Sequence, residues 1–295
     1  MRVTFNQLHG GVDQINIAAA QFTEAQRQVS TGQRIRTASD DPAGAQQVIL
    51  EQSNVDALDA YTSASGSASA RLSALDSTLG NIGDQLSAAM TALQSSIGST
   101  ATQPVRDAAA ATFRGIRDGI ASAVNTSLDG QHLFGGTASN VAPYAQVSGA
   151  WTYQGDGQQA AVAIGSGRTV AVTVDGQSVL KGSDATDVLT LLDGLATAAQ
   201  TNDSATLQAG VDQLKHAFDR ATRAQSQIGY DEASVADVAD RTATLRTAAD
   251  ARLSAVKDAN MVEAISRMSK AQTAYQAALG AAGAASKMSL MDYIR

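Results

Sequence analysis

The sequence predicts a mainly α protein with a small β-rich insert: an elongated antiparallel helical bundle or coiled coil built from paired N- and C-terminal regions. Three observations predict it. Apolar residues recur at steps of three and four near both ends and through much of the chain. That period disappears from about Gly135 to Gly182, where alternating residues and turn residues take over. Aromatic residues make up only 4% of the 295 residues, and alanine is the commonest residue, which suits closely approaching helices better than one large core.

The terminal periodicity is the first element to justify. Leu8, Val12, Ile15, Ala19, Phe22, Gln26 and Val29 fall at alternating steps of four and three, and Met261, Ile265, Met268, Gln272, Tyr275 and Leu279 do the same. Such spacing lays one apolar seam along each helix. Each seam is short and broken by a glutamine, and short helices are marginal alone in water. The two ends therefore pair with each other, pair with neighbouring copies, or pack on the body of the domain.

Between them lie further helices. Leu72, Leu75, Leu79, Ile82, Leu86, Met90 or Ala89, Leu93 and Ile97 form a long periodic run. GSTATQP, Gly98 to Pro104, stops it, with Pro104 placed to start a helix running to about Leu128. A later helix begins after the capping cluster Asn202-Asp203-Ser204 and carries Leu207, Val211, Leu214, Phe218, Ala221, Gln225 and Ile228. Another run, Val235 to Val256, leads into the C-terminal seam. In the middle, Val162 and Ile164 alternate, Gly165-Ser166-Gly167 makes a turn, and Val170, Val172 and Val174 alternate again, the signature of a β-hairpin. Trp151, Tyr144 and Tyr153 suggest an aromatic core for this module. The expected division is residues 1–44 and 257–295 as terminal helices, 45–134 and 183–256 as bundle core, and 135–182 as a β-rich outer insert.

Composition and motifs exclude several classes. The net charge is −7, and no block of Lys or Arg offers the basic face that phosphates require, so no nucleic-acid partner is expected. No apolar window of about 18 residues exists to engage a membrane. Cysteine is absent, which removes disulfides, thiolate metal sites and cysteine nucleophiles. MRVTFNQLHGGVDQ lacks a basic segment followed by an apolar one, so no cleaved secretory signal is expected, although export with an uncleaved terminus is compatible. His9, His132 and His216 are never at ligand spacing. Gly155-Asp156-Gly157 lacks the alternating acids of a calcium loop. The run from Gly280 to Lys287 follows a helix and lacks the ending of a phosphate loop. Asn125-Thr126-Ser127 is a formal glycosylation triplet at a predicted helix end. No serine sits in a G-x-S-x-G elbow. The reading is no enzyme, no catalytic residue, no metal and no cofactor.

One stretch interrupts the helices early: STGQRIRTASDDPAGA, Ser30 to Ala45. Its S-T-G-x-R-I core and following S-D-D-P-A-G resemble the N-terminal signature of bacterial flagellins and their relatives. NTSLDGQHLFGGT, Asn125 to Thr137, resembles the family's exit from its helices into its outer domain. DANMVEAI, Asp258 to Ile265, followed by Met268, Gln272 and Gln276 to Leu279, resembles its C-terminal helix. The ends, MRVTFNQL and SKMSLMDYIR, differ from the openings and closings usual in filament flagellins and look more like a member at the junction of hook and filament.

The resemblance implies an extracellular structural adaptor of the flagellum, exported without a cleaved signal peptide, that joins hook to filament by axial and lateral helix packing. Its partners would be further copies of itself in a ring, the first hook-associated protein on the hook side, flagellin on the filament side, and an export chaperone on the C-terminal helix. The alternatives are a short flagellin that forms the filament, and a module binding a glycan or other ligand on the β insert. The resemblance also implies terminal helices that are largely disordered in the monomer and fold on assembly, the ordering entropy offset by burial between subunits. Leu8, Val12, Ile15, Phe22, Val29, Met261, Ile265, Met268, Tyr275 and Leu279 are the expected interface. In the signature loop, Gly32 permits the turn, Pro42 starts the next helix, and Arg34, Arg36, Asp40 and Asp41 pair across the bend or between subunits.

Overall fold

A computed structural model describes residues 2–98 and 101–293, with side chains described for 11–98 and 101–284. The side chain of Leu8 lies outside the described residues, as do Ser99 and Thr100 of the expected break. The elements in order are α1 (Arg2–Thr31), α2 (Pro42–Ile97), α3 (Gln103–Val124), β1 (Ser127–Leu128), β2 (Gln131–His132), β3 (Tyr144–Val147), β4 (Ala150–Tyr153), β5 (Ala161–Gly165), β6 (Arg168–Ala171), α4 (Gly176–Leu180), α5 (Val188–Thr201), α6 (Ser204–Lys257) and α7 (Met261–Tyr293). The fold is mainly α with a small β part. The chain divides into two compact units, residues 1–57 with 245–295, and residues 58–244. The divisions fall inside α2 and α6, further into the helices than the expected boundaries at 44 and 257.

The unit of residues 58–244 holds the main core. On α2, Ala68, Leu72, Leu75, Leu79, Ile82, Leu86, Ala89 and Leu93 are all buried, an unbroken alternation of steps of four and three that keeps one stripe inward. Ala89, not Met90, takes the ambiguous position. α3 contributes Phe113, Ile116 and Ile120, α5 contributes Leu189, Leu192 and Leu195, and α6 contributes Leu207, Leu214 and Ile228. Each large side chain fully removed from water contributes roughly 1.5–3 kcal/mol. α3 starts with a proline in its first turn and ends at Val124, before the expected Leu128, where Asn125 turns the chain. Asp203 begins α6 by accepting from the Thr206 amide at 3.2 Å and the Thr206 hydroxyl at 2.6 Å. α6 then continues without a break through the stretch read from the sequence as two separate helical runs.

The β module consists of three two-stranded antiparallel ladders, β1–β2, β3–β4 and β5–β6. The predicted hairpin is β5–β6, pairing Val162 with Val170 across a turn at Ser166-Gly167. The short helix α4, capped by Asp175 onto the Gln177 and Ser178 amides, lies within the β-rich stretch. One expectation is corrected. The module has no separate aromatic core: Tyr144, Ile164, Val170 and Val174 belong to the same buried cluster as the helices. Ladders of two to five residues are too small to bury a core of their own, so their apolar faces are spent on the bundle. Arg220 of α6 fastens the module's end, donating to the carbonyls of Val179 (3.0 Å) and Leu180 (3.1 Å) and pairing with Asp184.

Candidate assembly interface: the terminal helix pair and its clamp

In the other unit, α1 packs against α7. The rings of Phe22 and Tyr275 stack with centroids 6.3 Å apart and planes 3° apart. Gln33 pairs with Asp258 in an antiparallel bridge, so the two helices run in opposite directions. The residues turned toward the partner helix are Ile15, Ala18, Phe22, Ala25 and Val29 on α1, and Ala264, Met268, Ala271, Tyr275 and Ala278 on α7; each is buried or half-buried. Both sets step by three and four. They differ from the predicted seams at telling places. Ala18 and Ala25 replace Ala19 and Gln26, and Ala264, Ala271 and Ala278 replace Ile265, Gln272 and Leu279. The contact within the chain is thus small-residue packing anchored by one aromatic pair, and no glutamine interrupts it.

The larger apolar side chains remain outside. Val12 is 51% exposed, Ile265 50%, Leu279 45%, Met261 41% and Val262 81%. Of the expected interface residues, then, Ile15, Phe22, Val29, Met268 and Tyr275 meet within one chain, while Val12, Met261, Ile265 and Leu279 face away from that seam.

The signature loop is the clamp at the end of this pair. Gly32 stops α1: its φ of +69° is left-handed, and its amide donates to the Gln28 carbonyl at 2.9 Å. The chain beyond it joins the α6–α7 turn through the backbone. Arg34 N donates to Lys257 O at 2.8 Å, Ile35 N to the same oxygen at 3.3 Å, and Ala259 N to Gly32 O at 2.8 Å. The Arg34 guanidinium spans the bend, donating to the Val256 carbonyl at 2.9 Å and to Asp41 at 3.1 Å. Ile35 is 3% exposed and sits where a Cβ at Gly44 would overlap it, so the loop closes tightly on the first turn of α2. Asn260 opens α7 by accepting from the Val262 amide at 3.1 Å.

The two aspartates have distinct duties. Asp40 accepts from the Thr37 and Arg36 amides, both at 3.0 Å, with Arg27 3.5 Å away. These bonds hold its carboxyl down at about 2. Asp41 accepts from the Gly44 amide at 3.0 Å and then from Arg34, which also lowers its carboxyl below the usual range. Glu24 is lowered chiefly by its bond from Arg27. The loop charges therefore pair across the bend within one chain, apart from Arg36, whose described bond is through its backbone amide to Asp40. Sequence reading missed Val256, Lys257 and Ala259 as the loop's partners, because backbone carbonyls and amides leave no residue pattern. Among the described residues, no group of three or more His, Asp or Glu is placed to hold a metal ion, and no helix is long and apolar enough to cross a membrane.

Comparison with known proteins places this geometry. Residues 12–139 match the family described as the bacterial flagellin N-terminal helical region, a span holding both the signature loop and the Asn125–Thr137 motif. The chain is 27% identical over 167 residues to flagellar hook-associated protein 3 of Salmonella typhimurium, covering 56% of this chain and 52% of that protein. It is 26% identical over 203 residues to flagellar hook-associated protein 3 of Escherichia coli, covering 68% and 62%. The aligned stretches thus span between half and two thirds of these relatives' length. The fold is shared with a putative flagellar hook-associated protein from Vibrio parahaemolyticus (TM-score 0.69, 20% identity, 74% of this chain and 99% of that one). It is shared also with FlgL of Xanthomonas campestris (TM-score 0.64, 16% identity, 69% and 99%). The resemblance to the flagellin family, read from three motifs, is borne out.

Proposed function

We propose that this chain, similar to hook-associated protein 3 in sequence and fold, is a structural subunit of the bacterial flagellum that joins hook to filament. The observation that carries the reading is the α1–α7 pair. Half of its internal seam is alanine, while Val12, Met261, Ile265 and Leu279 stand outside it, the arrangement expected of a unit that completes its packing against neighbours. On this reading the neighbours are further copies in a ring, the first hook-associated protein on the hook side and flagellin on the filament side. An export chaperone covers α7 before assembly, and the terminal helices gain their full order on incorporation. The chain acts by packing and carries out no chemistry, and it resides outside the cell in the flagellum.

Deletion of the chain in its source bacterium tests this. Hooks without filaments are expected, restored by the natural chain and not by Ile265→Asp. Normal filaments in the deletion strain would overturn the reading.

A further inference from the structure

A cavity of about 420 Å³ lies where the hairpin β5–β6 and the first turn of α4 meet α6 between Ala224 and Asp231. Small-molecule sites span roughly 300–1,000 Å³. The buried side chains of Val170, Val174 and Ile228 line it, with Ala171 and Ala224. The rest of its lining is polar: Gln159, Thr169, Thr173, Ser178, Gln227 and Asp231. Among the described residues, no Lys, Arg, His or aromatic residue lines it, and Asp231 supplies its one charge. That carboxylate is half-buried, and its described partner is neutral: Gln227 Nε2 donates to Asp231 Oδ1 at 3.2 Å. The arginines earlier on α6 are committed elsewhere. Arg223 donates to the Asp219 carbonyl at 3.1 Å, and Arg220 holds Asp184 and the carbonyls of Val179 and Leu180. A carboxylate drawn out of water beside a neutral partner is costly to keep ionised. Burial accordingly pushes the Asp231 carboxyl above its ordinary value, and the bond from Gln227 only partly opposes this.

We propose that this cavity binds a primary ammonium carried on a short aliphatic stem, with Asp231 as its counter-ion. An ammonium brings three donors and no acceptor, and the lining matches it with acceptors. Beside the carboxylate stand the Thr173 hydroxyl, which accepts from the Ala160 amide at 2.7 Å, and the Ser178 hydroxyl, which donates to the Asp175 carbonyl at 2.7 Å. Each hydroxyl keeps a lone pair for a further donor. Val170, Val174 and Ile228 offer the apolar wall that a methylene stem requires. Other ligand classes fit less well. An anion would meet an unbalanced carboxylate. A sugar face or a quaternary ammonium would find no aromatic ring to stack on. All of the lining belongs to the unit of residues 58–244, so the inference is independent of the assembly reading.

Titration of the purified full-length chain with cadaverine at neutral pH, followed through backbone amide resonances, tests this. Pentanediol, the same stem without charge, is the control. Saturable shifts are expected at Thr169, Thr173, Gln227 and Asp231 with cadaverine and none with pentanediol. Asp231→Asn keeps the shape and removes the charge. It is expected to weaken cadaverine binding about tenfold, the loss of one charge-assisted bond, with resonances elsewhere unchanged as the check on folding. Equal binding of pentanediol, undiminished binding by the asparagine variant, or no saturable shift at these residues would each overturn the proposal. A third probe, Nα-acetyl-lysinamide, separates the sources of the ammonium. Binding as tight as that of cadaverine supports the site with a lysine side chain of another protein as occupant. Binding of cadaverine without it supports the site with a free amine as occupant.

Discussion

Phe22 of α1 lies flat against Tyr275 of α7, ring planes 3° from parallel, and the rest of the seam among the described residues is built from alanine and half-buried Ile15, Val29 and Met268. Stacked aromatic pairs contribute about 0.5–1.5 kcal/mol beyond the area they bury. Phe22→Ala and Tyr275→Ala are each expected to loosen the helix pair, and the double variant to cost less than the sum of the two. Amide hydrogen exchange along α1 and α7 measures this, with protection on α3 and α5 unchanged. Strict additivity would mean that the rings do not support one another.

The Asp40 carboxyl sits at about 2, against an ordinary 3.8, because two backbone amides and Arg27 favour its ionised form. The group is lowered in the fold, so its contribution is complete above 3.8 and is lost as pH falls through about 2. The Arg36 and Thr37 amide resonances are therefore expected to hold steady down to about pH 4 and to shift between there and pH 2. Asp40→Asn is expected to remove that transition, leaving both amides insensitive across the window. Persistence of the transition in the variant would assign it to another group.

Arg34 reaches two partners at once, the Val256 carbonyl and the Asp41 carboxylate. A lysine presents one ammonium and cannot fork across both. Arg34→Ala and Arg34→Lys should both weaken the clamp, by about 1 kcal/mol given its partial exposure. Faster limited proteolysis in the 32–41 loop is the readout. Full protection in the lysine variant would show that only one of the two bonds matters.

Folding and assembly are expected to separate. Phe113 is fully buried, and Phe113→Ala should cost about 3–5 kcal/mol, read as a lowered denaturant midpoint. Ile265→Asp changes a half-exposed position and should alter stability by no more than about 1 kcal/mol, yet block incorporation into flagella. A loss of folding in the second variant would place Ile265 in the core.

Much of this was legible in the sequence because periodicity reports burial directly. The α2 stripe from Leu72 to Leu93 and the hairpin around Gly165-Ser166-Gly167 were read in place. The signature loop was also read as a turn with pairing charges, since Gly32, Pro42 and the Arg/Asp set constrain geometry locally. The terminal seams were only half legible. A residue pattern ranks Ile265 and Leu279 above Ala264 and Ala278 for burial, and the fold reverses the order because close helix approach selects alanine. The continuity of α6 was missed, since nothing marks the absence of a break between Ile228 and Val235. The shared core of bundle and β module was missed as well, because it depends on tertiary contact between segments far apart in the chain.

The central claim is a position, and immunogold electron microscopy of intact flagella tests it most directly, using an antibody raised against the β module. The account predicts gold confined to the point where hook meets filament. Gold along the whole filament would make the chain a filament subunit. An unlabelled junction, with the same antibody binding the purified folded chain, would contradict the account outright.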